Sequence, residues 1–255
     1  MIQAKKCLGQ HFLQDQTIAR RIVQALDARP EDPVLEIGPG TGALTRHLLP
    51  RPGFYLGLEK DGHLARSMAE NHPDAAFANI DALDFCWEKT SAIPGIKIIG
   101  NLPYNVASPL IWEMVSRVPD MSKGIFMVQK EVAERICSNP GPKTFGALSA
   151  WVQSFTIPAL LFSVRPGSFL PRPKVDSAVI ALTPKPDRFQ GDTKALGQLL
   201  RRIFSLRRKQ MGTILKSEPR EHVAAWFEAQ GISPSIRPEC LSSGQFQSLL
   251  EALRF

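Results

Sequence analysis

Along the first 140 residues, short apolar runs alternate with stretches in which apolar side chains recur every three or four positions. TIARRIVQAL (17–26) places Ile18, Ile22, Val23 and Leu26 on one helical face. PVLEIGPGTGALTRHLL (33–49) reads as a buried strand, a glycine turn and a helix, and FYLGLEK (54–60) as a second strand before the helical GHLARSMAENH. AAFANIDALDF (75–85) is a weaker strand ending near Asp81, and IKIIGNLPY (96–104) is a fourth strand followed by the helix VASPLIWEMVSRV. GIFMVQKEVAERIC (124–137) predicts a fifth strand that runs directly into a helix. Strands alternating with helices at this spacing predict a mostly parallel sheet covered on both faces. IPALLFSVRPGSF and DSAVIALTP, with little helix between them, predict an antiparallel pair at one edge. After the Pro/Gly/Asp-rich TPKPDRFQGD the pattern becomes helical, in TKALGQLLRRIF, REHVAAWFEAQ and SGQFQSLLEALR. The expected division is an α/β domain over 1–185 and a small all-helical domain over 186–255.

Charge sharpens that division. The formal net charge of +7 is uneven: residues 1–180 carry +2 and residues 181–255 carry +5. A basic helical portion beside a near-neutral body points to a polyanionic partner, nucleic acid before membrane. RRIFSLRRKQMGTILK (201–216) concentrates that charge, with Arg207, Arg208 and Lys209 consecutive; the pattern alone fits a solvated helix face as well as an RNA contact. The four cysteines and five histidines are scattered, giving neither a zinc pattern nor a disulfide framework, so no metal is expected. The N-terminus has no apolar stretch behind its basic residues, and no apolar run approaches a membrane span of about 20 residues. A cytoplasmic protein, monomeric and without a membrane partner, is expected.

In an open α/β sheet, ligands bind beyond the carboxyl ends of the strands. EIGPGTG (36–42) lies at such an end, where Gly38 and Gly40 let the backbone turn tightly and approach a ligand closely. Glu59 ends the second strand, where an acid accepts hydrogen bonds from ribose hydroxyls. Gly38-x-Gly40-x-x-Ala43 also satisfies the loose dinucleotide fingerprint, so spacing alone leaves NAD and hydride chemistry open. Asp81 ends the third strand and suits either the exocyclic amine of a bound adenine or the cap of the following turn.

Asn101-Leu102-Pro103-Tyr104 ends the fourth strand on the same rim. The exocyclic N6 of adenine is a poor nucleophile because its lone pair is delocalised into the ring. If the Asn101 side-chain oxygen and the Leu102 carbonyl accept its two N–H groups, the lone pair is drawn out of conjugation and can face an electrophilic methyl. Tyr104 would stack on the base and hold it at attack distance. No metal or nucleophilic side chain is required.

EIGPGTG with NLPY resembles the S-adenosylmethionine-dependent adenine-N6 methyltransferases. KKCLGQHFL, FMVQKEVAERI, FLPRPKVDSAVI and FSLRRK extend the resemblance across nearly the whole chain, to the ribosomal RNA small-subunit dimethyladenosine transferases. The resemblance implies a Rossmann-like methyltransferase domain, S-adenosylmethionine as cofactor, and the small ribosomal subunit as partner. It implies dimethylation of two adjacent adenosines near the 3′ end of small-subunit rRNA, with a role in subunit biogenesis. Carried over by position, His11, Leu13, Gly38, Gly40, Glu59, Asp81 and Asn101 line the cofactor pocket. Asn101, Leu102, Pro103 and Tyr104 serve the target base, and Phe169 covers its second face. Where this chain has His11 the family often has Asn, which leaves the side-chain contact there open while a backbone contact can carry over. A large-subunit rRNA methyltransferase of the macrolide-resistance type and a non-catalytic assembly factor on the same fold are the alternatives. A DNA adenine methyltransferase fits less well, because no target-recognition insert is apparent.

Overall fold

A computed structural model describes residues 10–49 and 53–253. Gln16–Leu26 forms α1, capped by Asp15, whose carboxylate accepts the amides of Thr17 (2.9 Å) and Ile18 (3.1 Å). Its period-3.6 stripe of Ala19, Ile22, Val23 and Leu26 is buried. Before it, Phe12–Leu13 forms the short strand β1.

The parallel strands then follow, the inner ones largely buried because both faces of the sheet are covered there and the edge strand Ala76–Asn79 more exposed. They are β2 (Pro33–Ile37), β3 (Phe54–Glu59), β4 (Ala76–Asn79), β5 (Lys97–Asn101) and β6 (Lys123–Gln129). The helix α2 (Thr45–Leu48) follows β2 and is only four residues long, shorter than the stretch 43–49 suggests. The helices α3 (Gly62–Asn71), α4 (Ala107–Arg117) and α5 (Lys130–Ile136) follow β3, β5 and β6. Beyond α6 (Ala147–Phe155) come β7 (Thr156–Val164), the two-residue β8 (Phe169–Leu170) and β9 (Ser177–Pro184).

The seven-stranded sheet runs β4-β3-β2-β5-β6-β9-β7. Neighbours from β4 to β6 are parallel, and β9 is antiparallel to β6. β1 pairs antiparallel with β8 in a separate ladder, register Phe12↔Leu170 and Leu13↔Phe169. The mostly parallel, doubly covered sheet with an antiparallel edge is thus the architecture the periodicity predicts.

The chain divides into two compact units. One comprises Met1–Ala133 and Pro158–Pro184, and the other Glu134–Ile157 and Lys185–Phe255. The second unit therefore differs from a division at residue 185 alone, because it takes in a segment from the middle of the chain. The reason is packing: α6 is almost wholly buried and lies against α7 (Thr193–Ser205) and α10 (Ser243–Ala252). Between those two helices come α8 (Met211–Ile214) and α9 (Arg220–Gln230). Within this unit Leu196, Leu199, Leu200 and Ile203 form the buried stripe of α7, and Phe246, Leu249 and Leu250 that of α10. Ser242 and Gln245 cap α10 reciprocally, each side chain accepting the other's backbone amide.

Candidate functional site

The sheet order reverses between β2 and β5: chain-order neighbours of β2 extend to one side and those of β5 to the other. The glycine loop leaves the end of β2 and Asn101–Tyr104 leaves the end of β5, so both reach the crevice where such sheets bind ligands. The cleft there is lined by His11, Gly38, Gly40, Glu59 and Asp81. Asn101, Leu102, Pro103 and Tyr104 line it as well. Gly38 (φ 65°) and Gly40 (φ 59°) adopt the left-handed conformation that favours glycine.

Glu59 does more than the sequence suggests. Its Oε2 accepts the Gly40 amide (2.9 Å) and its Oε1 accepts the Asp61 amide (2.9 Å), so it fixes the glycine loop from the neighbouring strand. Each carboxylate oxygen still has a lone pair for a further donor. Burial raises the Glu59 pKa, opposed in part by the Asp61 and Gly40 amides. Asp81 Oδ1 accepts the Leu83 amide (3.0 Å), the turn-capping contact, while Oδ2 pairs with Lys60 Nζ at 2.6 Å. Burial pushes its carboxyl up, but the Lys60 ammonium and the Leu83 amide outweigh this and leave the pKa below the usual value. Asp81 thus both caps its turn and faces the cleft. The apolar side chains of Ile37, Leu58, Ile80 and Leu83 provide walls suited to a flat base. These features together fit an adenosine with its ribose hydroxyls toward Glu59.

The Asn101–Tyr104 segment can be followed group by group. Asn101 Nδ2 donates to the His11 carbonyl at 3.1 Å, which assigns the amide and leaves Oδ1 as an acceptor. The Leu102 amide donates to the Met127 carbonyl (3.0 Å), holding the segment to β6, while the Leu102 carbonyl carries no hydrogen bond among the described residues. The Pro103 carbonyl accepts the amides of Val106 (3.1 Å) and Ala107 (3.0 Å) and so starts α4. Two acceptors remain uncommitted at one end of one strand: Asn101 Oδ1 and Leu102 O. The Tyr104 hydroxyl lies 2.6 Å from Ser177 Oγ at the start of β9, which pins the phenol. Its ring is stacked with His11, centroids 5.4 Å apart and planes 28° apart.

Leu13 and Phe169 do not line this cleft directly. The β1–β8 register opposes them, and both belong to the buried core, at 2 % and 3 % exposure. Phe169 does not line the cleft. Successive strand residues face opposite sides, so it is Phe12, not Leu13, that reaches the cleft. Leu13 borders a smaller adjoining pocket under the glycine loop.

Three contributors were missed in the sequence. Phe12 sits against the loop, with its ring 3.4 Å from where a Cβ on Gly40 would stand. Ser177 anchors Tyr104. Glu36, fully buried on β2, accepts the hydroxyls of Thr45 (2.8 Å) and Tyr55 (2.6 Å) on one oxygen, and burial raises its pKa to about 7. Its one available signal was an acid inside an apolar strand.

In the helical unit, Arg208 and Lys209 are exposed and Arg207 is half-buried, donating to the Lys143 carbonyl at 2.8 Å. No helix of the described residues is long and apolar enough to cross a membrane.

Comparison with known proteins places this geometry in context. The family model described as ribosomal RNA adenine dimethylase matches residues 1–254. The chain is 48% identical to the ribosomal RNA small subunit methyltransferase A of Nitratidesulfovibrio vulgaris (strain DP4), over 98% of this chain and 97% of that one. It is 38% identical to the protein of the same name from Acinetobacter baylyi, over 98% and 93% of the two chains. Among solved structures, a dimethyladenosine transferase from Plasmodium falciparum superimposes with a TM-score of 0.79 at 27% identity, covering 94% and 96% of the two chains. The 23S rRNA methyltransferase ErmE shares the fold, with a TM-score of 0.72 at 24% identity and coverage of 96% and 100%.

Proposed function

Because the chain belongs to the ribosomal RNA adenine dimethylase family, we propose that Asn101 Oδ1 and the Leu102 carbonyl receive the exocyclic amine of an adenosine turned out of its RNA. The protein is an S-adenosylmethionine-dependent rRNA adenine dimethyltransferase that acts on small-subunit rRNA. Bound S-adenosylmethionine supplies an electrophilic methyl group. Glu59 orients its ribose hydroxyls, Asp81 takes its adenine amine, and the Gly38–Gly40 backbone allows its close approach.

The observation that carries the reading is the pair of uncommitted acceptors. An adenine amine has two N–H groups, and Asn101 Oδ1 and Leu102 O match them in number and polarity. Accepting both frees the nitrogen lone pair from the ring, and the same two oxygens stabilise the positive charge that develops on N6 as it is alkylated. The proton displaced at each transfer leaves for solvent. After the first methylation one N–H remains, so one acceptor still holds the amine for the second transfer. Tyr104, fixed at its hydroxyl by Ser177, provides the flat surface on which the base rests. The targets are two adjacent adenosines near the 3′ end of the rRNA, and Arg207, Arg208 and Lys209 position the strand through its phosphates.

The test is transfer of labelled methyl groups to small subunits from cells lacking the modification, followed by mapping of the modified bases. Dimethyladenosine at two neighbouring positions near the 3′ end is expected. Label confined to other bases overturns the reaction, and label confined to large-subunit rRNA overturns the substrate.

A further inference from the structure

We infer that the His11 imidazole occupies the base-stacking face of Tyr104 in the free protein and is exchanged for the target adenine when RNA binds. This rests on the reading of Tyr104 as the platform for the base. His11 touches each part of that slot. Its ring is stacked with Tyr104, its Nδ1 lies 2.8 Å from the Pro171 carbonyl, and its own carbonyl accepts the Asn101 amide (3.1 Å). Tyr104 cannot yield by turning aside, because Ser177 holds its hydroxyl at 2.6 Å and the residue is half-buried. The imidazole is held less firmly. A separation of 5.4 Å with a 28° tilt is a loose, offset stack, and the one side-chain hydrogen bond of His11 among the described residues is the exposed one to Pro171. An imidazole is also flat, aromatic and able to hydrogen-bond at its edge, the properties by which an adenine would be accepted in the same place.

Only the ring has to move. The backbone carbonyl of His11 can keep its bond to Asn101, so the acceptor Oδ1 stays aimed while the slot opens. Displacement also breaks the bond to Pro171, so entry of the base costs one tie between His11 and the segment that follows β8. His11 is therefore a specificity-determining residue: a base that stacks weakly on Tyr104 does not displace it, and a large flat purine does.

The experiment measures RNA affinity by titration of the protein saturated with S-adenosylhomocysteine. It compares an RNA bearing adenosine at the target position with one bearing an abasic nucleotide there, so that phosphate contacts cancel. The ratio of the two dissociation constants reports the base slot. His11→Ala and His11→Asn, which lack a competing ring, are expected to raise that ratio roughly tenfold, equal to about 1.4 kcal/mol. His11→Phe, which keeps a ring but loses the Nδ1 bond, is expected to remain near the parent. The opposite ranking, with His and Phe above Ala and Asn, would mean that His11 supports the base and does not compete with it. An equal ratio in all four proteins overturns the proposal as well. Failure of the underlying reading is distinguishable, since Tyr104→Ala would then leave the adenosine-to-abasic ratio unchanged. Circular dichroism and the thermal unfolding midpoint serve as the folding control for every variant.

Discussion

Glu59 shows how one side chain holds two tasks. Its two oxygens accept the Gly40 and Asp61 amides, so the carboxylate shapes the loop before any cofactor arrives. Glu59 also lines the cleft, and in the proposed function its remaining lone pairs accept the ribose hydroxyls. Glu59→Ala removes both functions and is expected to weaken S-adenosylmethionine binding by roughly 1.5–3 kcal/mol, the scale of hydrogen bonds to a charged group. Calorimetric titration of the folded variant checks this, and an unchanged dissociation constant removes Glu59 from the cofactor site. At this scale the sequence was most readable where chemistry is local. The glycines, Glu59, Asp81 and Asn101–Tyr104 each end a strand, so their common rim follows from the alternation of strands and helices. Phe12, Ser177 and the His11–Tyr104 stack were not legible, because each depends on a partner at least 28 positions away in the chain. The buried position of Phe169 is not legible for the same reason: the β1–β8 register that sets it has no local signature.

Among elements, Glu36 joins three. From β2 it accepts Tyr55 of β3 and Thr45 of α2, the helix that follows the glycine loop. This clamp sets the strands and the helix at a fixed spacing beneath the loop. Burial raises the Glu36 pKa from 4.5 to about 7, despite the two hydroxyl donors that oppose the shift. The folded state therefore holds a proton that the unfolded chain releases near pH 4.5. Stability contributed by this group is full below pH 4.5, falls as pH rises toward 7, and is level above it; the total change is on the order of 3 kcal/mol. Glu36→Gln cannot titrate. The difference in unfolding free energy between parent and variant should thus drift across pH 4.5–7 in that direction and be flat above. Denaturant melts at half-unit pH intervals measure it, and parallel pH profiles contradict the clamp's protonated state. The strands and long helices themselves were legible from apolar periodicity. The placement of α6 was not, since burial of nearly all its faces erases the amphipathic stripe and only packing against α7 and α10 assigns it to the helical unit.

For the whole molecule, charge and catalysis are divided between the two units. The cleft belongs to the α/β unit, while residues 181–255 hold +5 of the +7 net charge. Replacing Arg207, Arg208 and Lys209 by Gln should weaken RNA binding and flatten the plot of log affinity against log salt by about 2 to 3 units if each meets one phosphate. Cofactor affinity should stay constant. Parallel salt lines would mean that the cluster is a solvated face and that the RNA is held elsewhere. The central claim concerns the two acceptors left open by the fold, and Asn101→Ala addresses it most directly. The measurement is single-turnover methyl transfer to saturating small subunits, beside the cofactor dissociation constant of the same variant. The account predicts cofactor binding within a few fold of the parent and a transfer rate reduced at least about 100-fold, because the amide oxygen acts chiefly in the transition state. A transfer rate equal to the parent's at saturation, with only the apparent affinity for RNA reduced, would contradict it.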